Sequence, residues 1–265
     1  MCGDARSYLQ HAFDYPTLVE ARLNMAFMIS MPAIELAGLT IQVCQFDPQQ
    51  FDEDQQHYLA PPAYHSLHKA VVKRQAEFVA GRKLAQQALK QIGQGYDRPI
   101  AIGTHREPIW PAGITGSIAH CDGWAVCTVL KAEHLSLGID IEHRLAHQTA
   151  SEVQAMIGTA QEWALLAQQF DLVSAVTLLF SAKESLFKAL FPQVHIYLDF
   201  SDAQLSSLEL NKMSFTLTRI PNAAQQSCEV YFRWFEQQRV LTVSALPMLG
   251  KIEYHVPPYL LELTY

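Results

Sequence analysis

Apolar and polar residues alternate along some stretches of the chain and recur every three or four positions along others. "GLTIQVCQF" (38–46) alternates and predicts a strand. "FDEDQQHYLAPPAYH" (51–65) is acidic and then proline-bearing, which predicts a loop. From about Ala70 to Ile92, the apolar positions Val71, Phe78, Ala85, Leu89 and Ile92 fall at helical spacing, and Gly93 and Gly95 end the run. "AVCTVL" (125–130) and "LSLGIDIE" (135–142) read as strands joined through "KAEH" into a hairpin. "TAQE" (159–162) has capping-box spacing and opens a helix through "WALLAQQF". A further helix is predicted from about Ser174 to Phe191, stopped by Pro192. "CEVYFRWF" and "RVLTVSAL" flank "EQQ" and predict a second hairpin. Hairpins mixed with helices, without strict alternation, point to an α+β fold.

At 265 residues the chain has room for a core without staples. The hydrophobic share of 49% fits a globular protein and excludes wholesale disorder. A net charge of −7 argues against nucleic acid as the main partner. The 5 cysteines are odd in number and have no CxxC spacing, so buried free thiols in a reducing compartment are expected. The start, "MCGDARSYLQHAFDYP", carries early acids and no apolar core of a signal peptide. The most apolar window, residues 25–43, is broken by Pro32, Glu35 and Gln42, whereas a membrane span needs about 20 apolar residues in a row. A cytoplasmic, soluble protein without a membrane span is the expectation.

One segment departs from the acidic total. Between Lys69 and Arg106 stand Lys69, Lys73, Arg74, Arg82, Lys83, Lys90, Arg98 and Arg106, opposed only by Glu77 and Asp97. Such a run is either a solvated helix face or a seat for a multiply charged anion such as a nucleotide.

Two acids interrupt the apolar strand "LGIDIEHR" (137–144). Residues two apart share a strand face, so Asp140 and Glu142 point one way and Leu137, Ile139 and Ile141 the other. Paired like charges are either a solvated outer face or a place where a divalent cation sits between them. Farther on, "FSAKESLFKAL" (180–190) places Thr177, Ser181, Glu184 and Lys188 on one helix side, opposite Val176, Leu179, Phe180, Phe187 and Leu190. Glu184 and Lys188 are either a surface pair or the third acid of a Mg²⁺ site with a phosphate-facing lysine. Lys183 lies nearer the apolar flank, with a stem long enough to bring its amine to the edge of that site.

"GSIAHCDGWAV" (116–126), "LGIDIE" (137–142) and "FSAKESLFK" (180–188) stand in the order of the three motifs of 4′-phosphopantetheinyl transferases, and the chain resembles that family. "KRQAEFVAGRKLA" (73–85) and "REPIWPAG" (106–113) resemble its enterobactin-synthetase branch, which activates siderophore assembly lines. The likeness is specific over roughly residues 70–190. It implies coenzyme A as co-substrate, Mg²⁺ as cofactor, and an apo aryl or peptidyl carrier protein of a siderophore synthetase as acceptor. It also implies two similar halves related by pseudo-twofold symmetry with the active site between them. Residues 1–130 would then carry the nucleotide-binding side, and residues 131–265 the metal and catalytic motifs.

Carried over by position, the resemblance assigns Mg²⁺ to Asp140, Glu142 and Glu184. It assigns the nucleotide end of coenzyme A to Lys73 or Arg74, Arg82, Arg106 and His120, with Lys183 and Lys188 at the phosphates. Glu184 and Lys188 would be catalytic, as base and as the group meeting the reacting phosphate. Two positions depart from the family pattern. Ala119 stands where a serine usually precedes the histidine, and Glu107 where a lysine often precedes the proline, which moves that contact to Arg106. A Mg²⁺-dependent coenzyme A pyrophosphohydrolase and a non-catalytic coenzyme A-binding module are the competing readings. A nucleophilic hydrolase is disfavoured because "TGSIAH" lacks G-x-S-x-G spacing.

Overall fold

The computed structural model describes residues 26–52, 55, 67, 69–95, 100–220, 227–236 and 238–248. Two antiparallel sheets dominate. The first comprises β1 (Met28–Leu36), β2 (Leu39–Phe46), β5 (Ile114–Cys121) and β6 (Trp124–Lys131), in the order β1-β2-β6-β5. The second comprises β7 (Leu135–His143), β8 (Ala203–Leu208), β9 (Lys212–Leu217), β10 (Cys228–Phe235) and β11 (Arg239–Pro247), in the order β7-β11-β10-β9-β8. A short ribbon, β3 (Ala101–Ile102) with β4 (Pro108–Ile109), stands apart. The helices are α1 (Val72–Gln91), α2 (His147–Ile157), α3 (Ala160–Leu166) and α4 (Leu172–Val194). The class is α+β, and no described helix is long and apolar enough to cross a membrane.

Three apolar clusters stack these elements into layers. α1 covers one face of the first sheet through Ala76, Val79, Leu84 and Leu89. The two sheets meet through Ile41, Val43 and Val126 on one side and Leu137, Ile139, Ile141, Leu241 and Val243 on the other. α4 covers the far face of the second sheet with Val176, Leu179, Leu186 and Leu190. Both faces of β7 are therefore occupied, although it is the edge strand of its sheet. Its free edge is closed by side chains rather than by a neighbouring strand. The Ile139 N–H donates to Ser117 Oγ (3.0 Å), the His143 N–H to Cys121 Sγ (3.4 Å), and Lys188 Nζ donates to the Ile139 carbonyl (3.1 Å). These bonds satisfy edge groups that would otherwise be stranded away from water.

Several sequence expectations change here. "AVCTVL" and "LSLGIDIE" are both strands, but not a hairpin: β6 pairs with β2 and β5, while β7 pairs with β11. The intervening residues carry the chain from one sheet to the next. The Cys228–Phe235 and Arg239–Pro247 strands do form the predicted antiparallel pair. Thr159 caps α3 with the predicted capping box: its Oγ1 accepts from the Glu162 N–H and the Glu162 carboxylate accepts from the Thr159 N–H. α4 begins earlier than predicted, because Asp171 caps it by accepting from the Ser174 N–H (2.9 Å). It also runs through Pro192 to Val194 before His195 turns left-handed, so the proline does not stop the helix at Phe191. Pro32 sits inside β1, where edge position and a register shift between Met31 and Ile34 tolerate its missing N–H.

Two helices are buried at more than the predicted positions. In α1, Ala85 and Leu89 are buried as predicted, Val71 precedes the helix and is 73% exposed, and Ala76, Val79, Ala80 and Leu84 complete the stripe. α1 closes as predicted at Gly93, whose N–H bonds the Lys90 carbonyl while the Gln94 N–H bonds that of Leu89. Along α4, Thr177 and Ser181, on the side opposite the apolar stripe, are fully buried. Thr177 Oγ1 accepts from the Leu145 N–H, and Ser181 Oγ meets Thr242 Oγ1 at 2.9 Å, so these hydroxyls fasten the helix to the sheet. Of the described cysteines, Cys44 and Cys127 are buried free thiols, Cys228 is buried, and Cys121 is partly exposed.

Two glycines allow the close approaches that assemble the site. A Cβ on Gly81 would lie 2.9 Å from Ile118 Cγ2, which is how α1 comes down onto β5. A Cβ on Gly138 would lie 2.6 Å from the Ala189 backbone nitrogen and against the Ser185 carbonyl, so only glycine lets α4 lie on β7 at this distance. Gly138→Ala is expected to cost stability near the upper end of the roughly 1–3 kcal/mol seen for overpacking, since helix backbone must move. Urea unfolding checks this; a midpoint within error of the wild type would show that α4 can slide without penalty.

Candidate active site

Where α1, β5, β7 and the C-terminal half of α4 converge they enclose a cavity of about 980 Å³, with the β3–β4 turn at its rim. Of the residues singled out in the sequence, Arg74, Arg82, Arg106, His120, Glu184 and Lys188 line it. Chain positions more than 100 residues apart are thereby placed around one space.

The cationic wall comes from α1. Arg82 is only 6% exposed, its guanidinium lies 4.6 Å over the Phe78 ring, and its Nε has no hydrogen-bond partner. Burial lowers its pKa to about 10, so it is charged at neutral pH. Arg74 Nη1 lies 3.0 Å from His120 Nε2 and 3.4 Å from Glu77 Oε2. Burial holds His120 below the ordinary histidine pKa; Glu77 works against that shift, and Arg74 and Lys188 work with it. Arg106 sits in the β3–β4 turn with a left-handed φ of 69°, its N–H bonded to the Gly103 carbonyl. The neighbouring Glu107 folds back into that turn, its carboxylate accepting from the His105 N–H at 2.8 Å. His105 in turn packs edge-on against Phe191 and Tyr197, tying the turn to the end of α4.

The acidic group comes from β7 and α4. Lys188 Nζ donates to Asp140 Oδ1 at 2.6 Å, while Asp140 Oδ2 is buried without a partner. Glu142 accepts from the Cys121 thiol (3.4 Å); burial first, then the charge of Asp140, push its carboxyl up to about 7. Glu184 is also raised, by burial above all, with Lys188 opposing and Asp140 reinforcing the shift. Asp140 thus adds to the larger effect of burial at both Glu142 and Glu184, and Glu184 adds to it at Glu142. Among the described residues, no group of three His, Cys, Asp or Glu side chains stands close enough to make a finished metal cage. The orphaned Asp140 oxygen and the all-oxygen donor set nonetheless fit a hard divalent cation.

Asp140 and Glu142 do not themselves line the cavity, Asp140 meeting it through Lys188, and Lys183 and Lys73 are farther off. Lys183, expected at the phosphates, is 1% exposed and points away from the cavity. Its Nζ is 2.8 Å from Glu162 Oε1 and donates to the carbonyls of Ile157 (2.9 Å) and Phe200 (2.8 Å). One step along a helix turns a side chain by about 100°, and that step separates Lys183 from Glu184. Lys73 is on the outer surface near Asp122 (3.7 Å), leaving Arg74 as the member of that pair at the cavity. Sequence reasoning missed Glu77, Phe78 and Trp110, which also line the cavity. Glu77 was legible only as the lone acid within the basic helix. Ala119 is 4% exposed and packs with the cluster between the sheets, and Ser117 supports the neighbouring strand rather than a turn.

Comparison with known proteins bears on this arrangement. Residues 63–130 match the 4′-phosphopantetheinyl transferase N-terminal domain, and residues 136–244 match the 4′-phosphopantetheinyl transferase superfamily. The chain is 33% identical over 215 residues to enterobactin synthase component D of Salmonella austin, covering 80% of this chain and 89% of that protein. It is 42% identical over 160 residues to enterobactin synthase component D of Escherichia coli K12, covering 59% of this chain and 73% of that protein. It is 34% identical over 149 residues to the 4′-phosphopantetheinyl transferase Npt of Nocardia iowensis, covering 55% and 65% of the two chains. With both family matches falling on the segments that build the cavity, and these identities over most of the length, the chain belongs to the 4′-phosphopantetheinyl transferase superfamily of transferases.

Proposed function

We propose that this protein transfers the 4′-phosphopantetheine arm of coenzyme A to a serine of apo aryl or peptidyl carrier domains of a siderophore synthetase, with Mg²⁺ as cofactor. The single observation that carries the reading is the juxtaposition, around one cavity, of the cationic wall with Glu184 and Lys188, the latter bonded to Asp140. The siderophore role rests on similarity to the enterobactin synthase components. Arg74, Arg82, Arg106 and His120 would seat the nucleotide end. Asp140, Glu142 and Glu184 would hold Mg²⁺, which when bound neutralises pyrophosphate charge and polarises the phosphoryl oxygens.

The rest of the chemistry falls to side chains of this chain. Glu184, with its pKa raised, accepts the proton of the attacking serine hydroxyl. The serine oxygen bonds to the phosphorus on the pantetheine side of the pyrophosphate, and the bond from that phosphorus to the bridging oxygen breaks. Lys188 meets the negative charge that develops on departing 3′,5′-ADP. Asp140 is buried and Lys188 about one-third exposed, so their pairing is stronger than it would be in water.

Intact-mass spectrometry of an apo carrier domain incubated with this protein, coenzyme A and Mg²⁺ tests the reading. A gain of one phosphopantetheine arm, abolished by EDTA, is expected. Cleaved coenzyme A with an unmodified carrier would instead establish a pyrophosphohydrolase. Intact coenzyme A with each of a panel of carriers would leave a binding module.

A pH dependence also follows. Glu142 binds its proton more tightly folded, at about 7, than at its ordinary 4.5. Between those values the folded state holds more protons than the unfolded state, so stability falls as pH rises through the window. The cation-free protein should show a falling melting temperature from pH 4.5 to 7. Added Mg²⁺ should raise the melting temperature more at pH 7.5 than at pH 5. An equal shift at both would place the cation away from these carboxylates.

A further inference from the structure

Glu77 is an acid standing among the cationic side chains that α1 and β5 bring to the cavity. Its side chain is 14% exposed, so the charge is held where it would repel a phosphate unless its field is spent on neighbours. Its neighbours are Arg74 Nη1 at 3.4 Å and His120 Nδ1 at 3.8 Å, both from the same oxygen. Arg74 Nη1 also lies 3.0 Å from His120 Nε2. A guanidinium only donates, so His120 Nε2 must accept, and the proton of the neutral ring is on Nδ1, the nitrogen turned toward Glu77. Burial keeps the ring neutral in the absence of ligand. α1 and β5 thus meet in a triangle in which each member orients the other two.

We propose that Glu77 is a positioning residue for the nucleotide seat: it holds the Arg74 guanidinium on His120, fixes the Nδ1–H form of that imidazole, and so presents the remaining Arg74 N–H groups to a bound phosphate. This deepens the functional reading above and rests on it for the ligand, but not for the tautomer. The geometry explains why the acid sits three residues after Arg74 and not elsewhere on the basic helix: one turn puts both on the face that meets His120. Without the carboxylate, Arg74, which is 47% exposed, is free to swing into water. The seat would then lose orientation rather than charge.

The test uses the full chain as wild type, Glu77→Ala and Glu77→Gln. Nitrogen-15 spectra of histidine-labelled protein, with His120→Asn to assign the ring, report which nitrogen carries the proton. Steady-state transfer reports KM for coenzyme A separately from kcat. In the wild type, Nδ1 should be protonated and Nε2 bare. In Glu77→Ala the ring should become a tautomer mixture and KM should rise about tenfold, the scale set by losing the orientation of one charged donor, with kcat changing less than KM. Glu77→Gln keeps an acceptor for Arg74 and should return KM to within about threefold of the wild type. The proposal is overturned if Glu77→Ala leaves both ring and KM as in the wild type. It is equally overturned if the loss falls on kcat alone, or if Glu77→Gln is as impaired as Glu77→Ala. A wild type that neither binds nor turns over coenzyme A would sink the functional reading instead, and the imidazole spectra would still decide whether Glu77 orders His120.

Discussion

Glu184→Gln is expected to lower the rate of carrier modification by about 10³-fold, within the range lost when a positioned base is removed, while leaving the fold intact. Glutamine has the same shape, so packing on α4 is unchanged. It also removes a negative charge that senses Asp140, so the melting temperature should be equal or slightly higher. An activity effect without a stability effect is the signature sought. The effect should fall on kcat rather than on KM for coenzyme A, because the nucleotide seat is built from α1, β5 and the β3–β4 turn. Wild-type turnover in Glu184→Gln would remove Glu184 from the chemistry and leave the proton to another acceptor. A collapse of the fold would show that its charge is structural, which the half-exposed position at the cavity does not suggest.

Lys183→Ala is expected to act in the opposite way: a large loss of stability, and little change in KM for coenzyme A in whatever fraction stays folded. Its ammonium is held by one carboxylate and two backbone carbonyls, and pair partner Glu162 is itself 2% exposed. Glu162 also accepts from the Thr159 and Leu205 N–H groups, so this single pair joins the end of α2, the cap of α3, the start of β8 and α4. Removing one partner leaves a buried charge uncompensated, which costs about 3–5 kcal/mol. Burial lowers the lysine pKa and the pairing with Glu162 raises it, the balance being downward. Urea unfolding measures the loss. A KM that rises with stability unchanged would restore Lys183 to the phosphates, where its neighbour in sequence first suggested it.

The two predictions separate adjacent residues, Lys183 and Glu184, that the resemblance placed at one site. In "FSAKESLFK", a helix was legible from apolar spacing, and so was the placement of Glu184 and Lys188 one turn apart on a shared side. What spacing could not show is what that side would face. Thr177 and Ser181, placed opposite the apolar stripe, are buried against Leu145 and Thr242, because α4 is covered on more of its circumference than an amphipathic surface helix would be. Lys183 was misplaced for the same reason: a lysine near an apolar flank reads as one that snorkels to an edge, and the carboxylate that receives it lies on another helix. The basic run of α1 was legible as a charge excess, but not which members matter. Arg74 and Lys73 are neighbours in sequence, and only the meeting of α1 with β5 turns the first toward the cavity and the second toward solvent.

The paired acids of "LGIDIE" show where each kind of information stops. Alternation along a strand puts Asp140 and Glu142 on one face by local geometry alone, and no tertiary contact was needed to know it. That the chain is α+β, that Thr159 caps a helix and that the last two strands form a hairpin were local in the same sense: turn chemistry, capping and periodicity act over a few residues. The partner of β7 was not. Short separation favoured β6, yet β7 pairs with β11, about a hundred residues away, because Leu137, Ile139 and Ile141 are buried between two sheets and Gly138 admits α4 on the opposite face. Burial on both faces is a property of the whole fold, set by which surfaces exclude water together. It is this long-range packing that brings Lys188 to Asp140 and leaves one carboxylate oxygen without a partner.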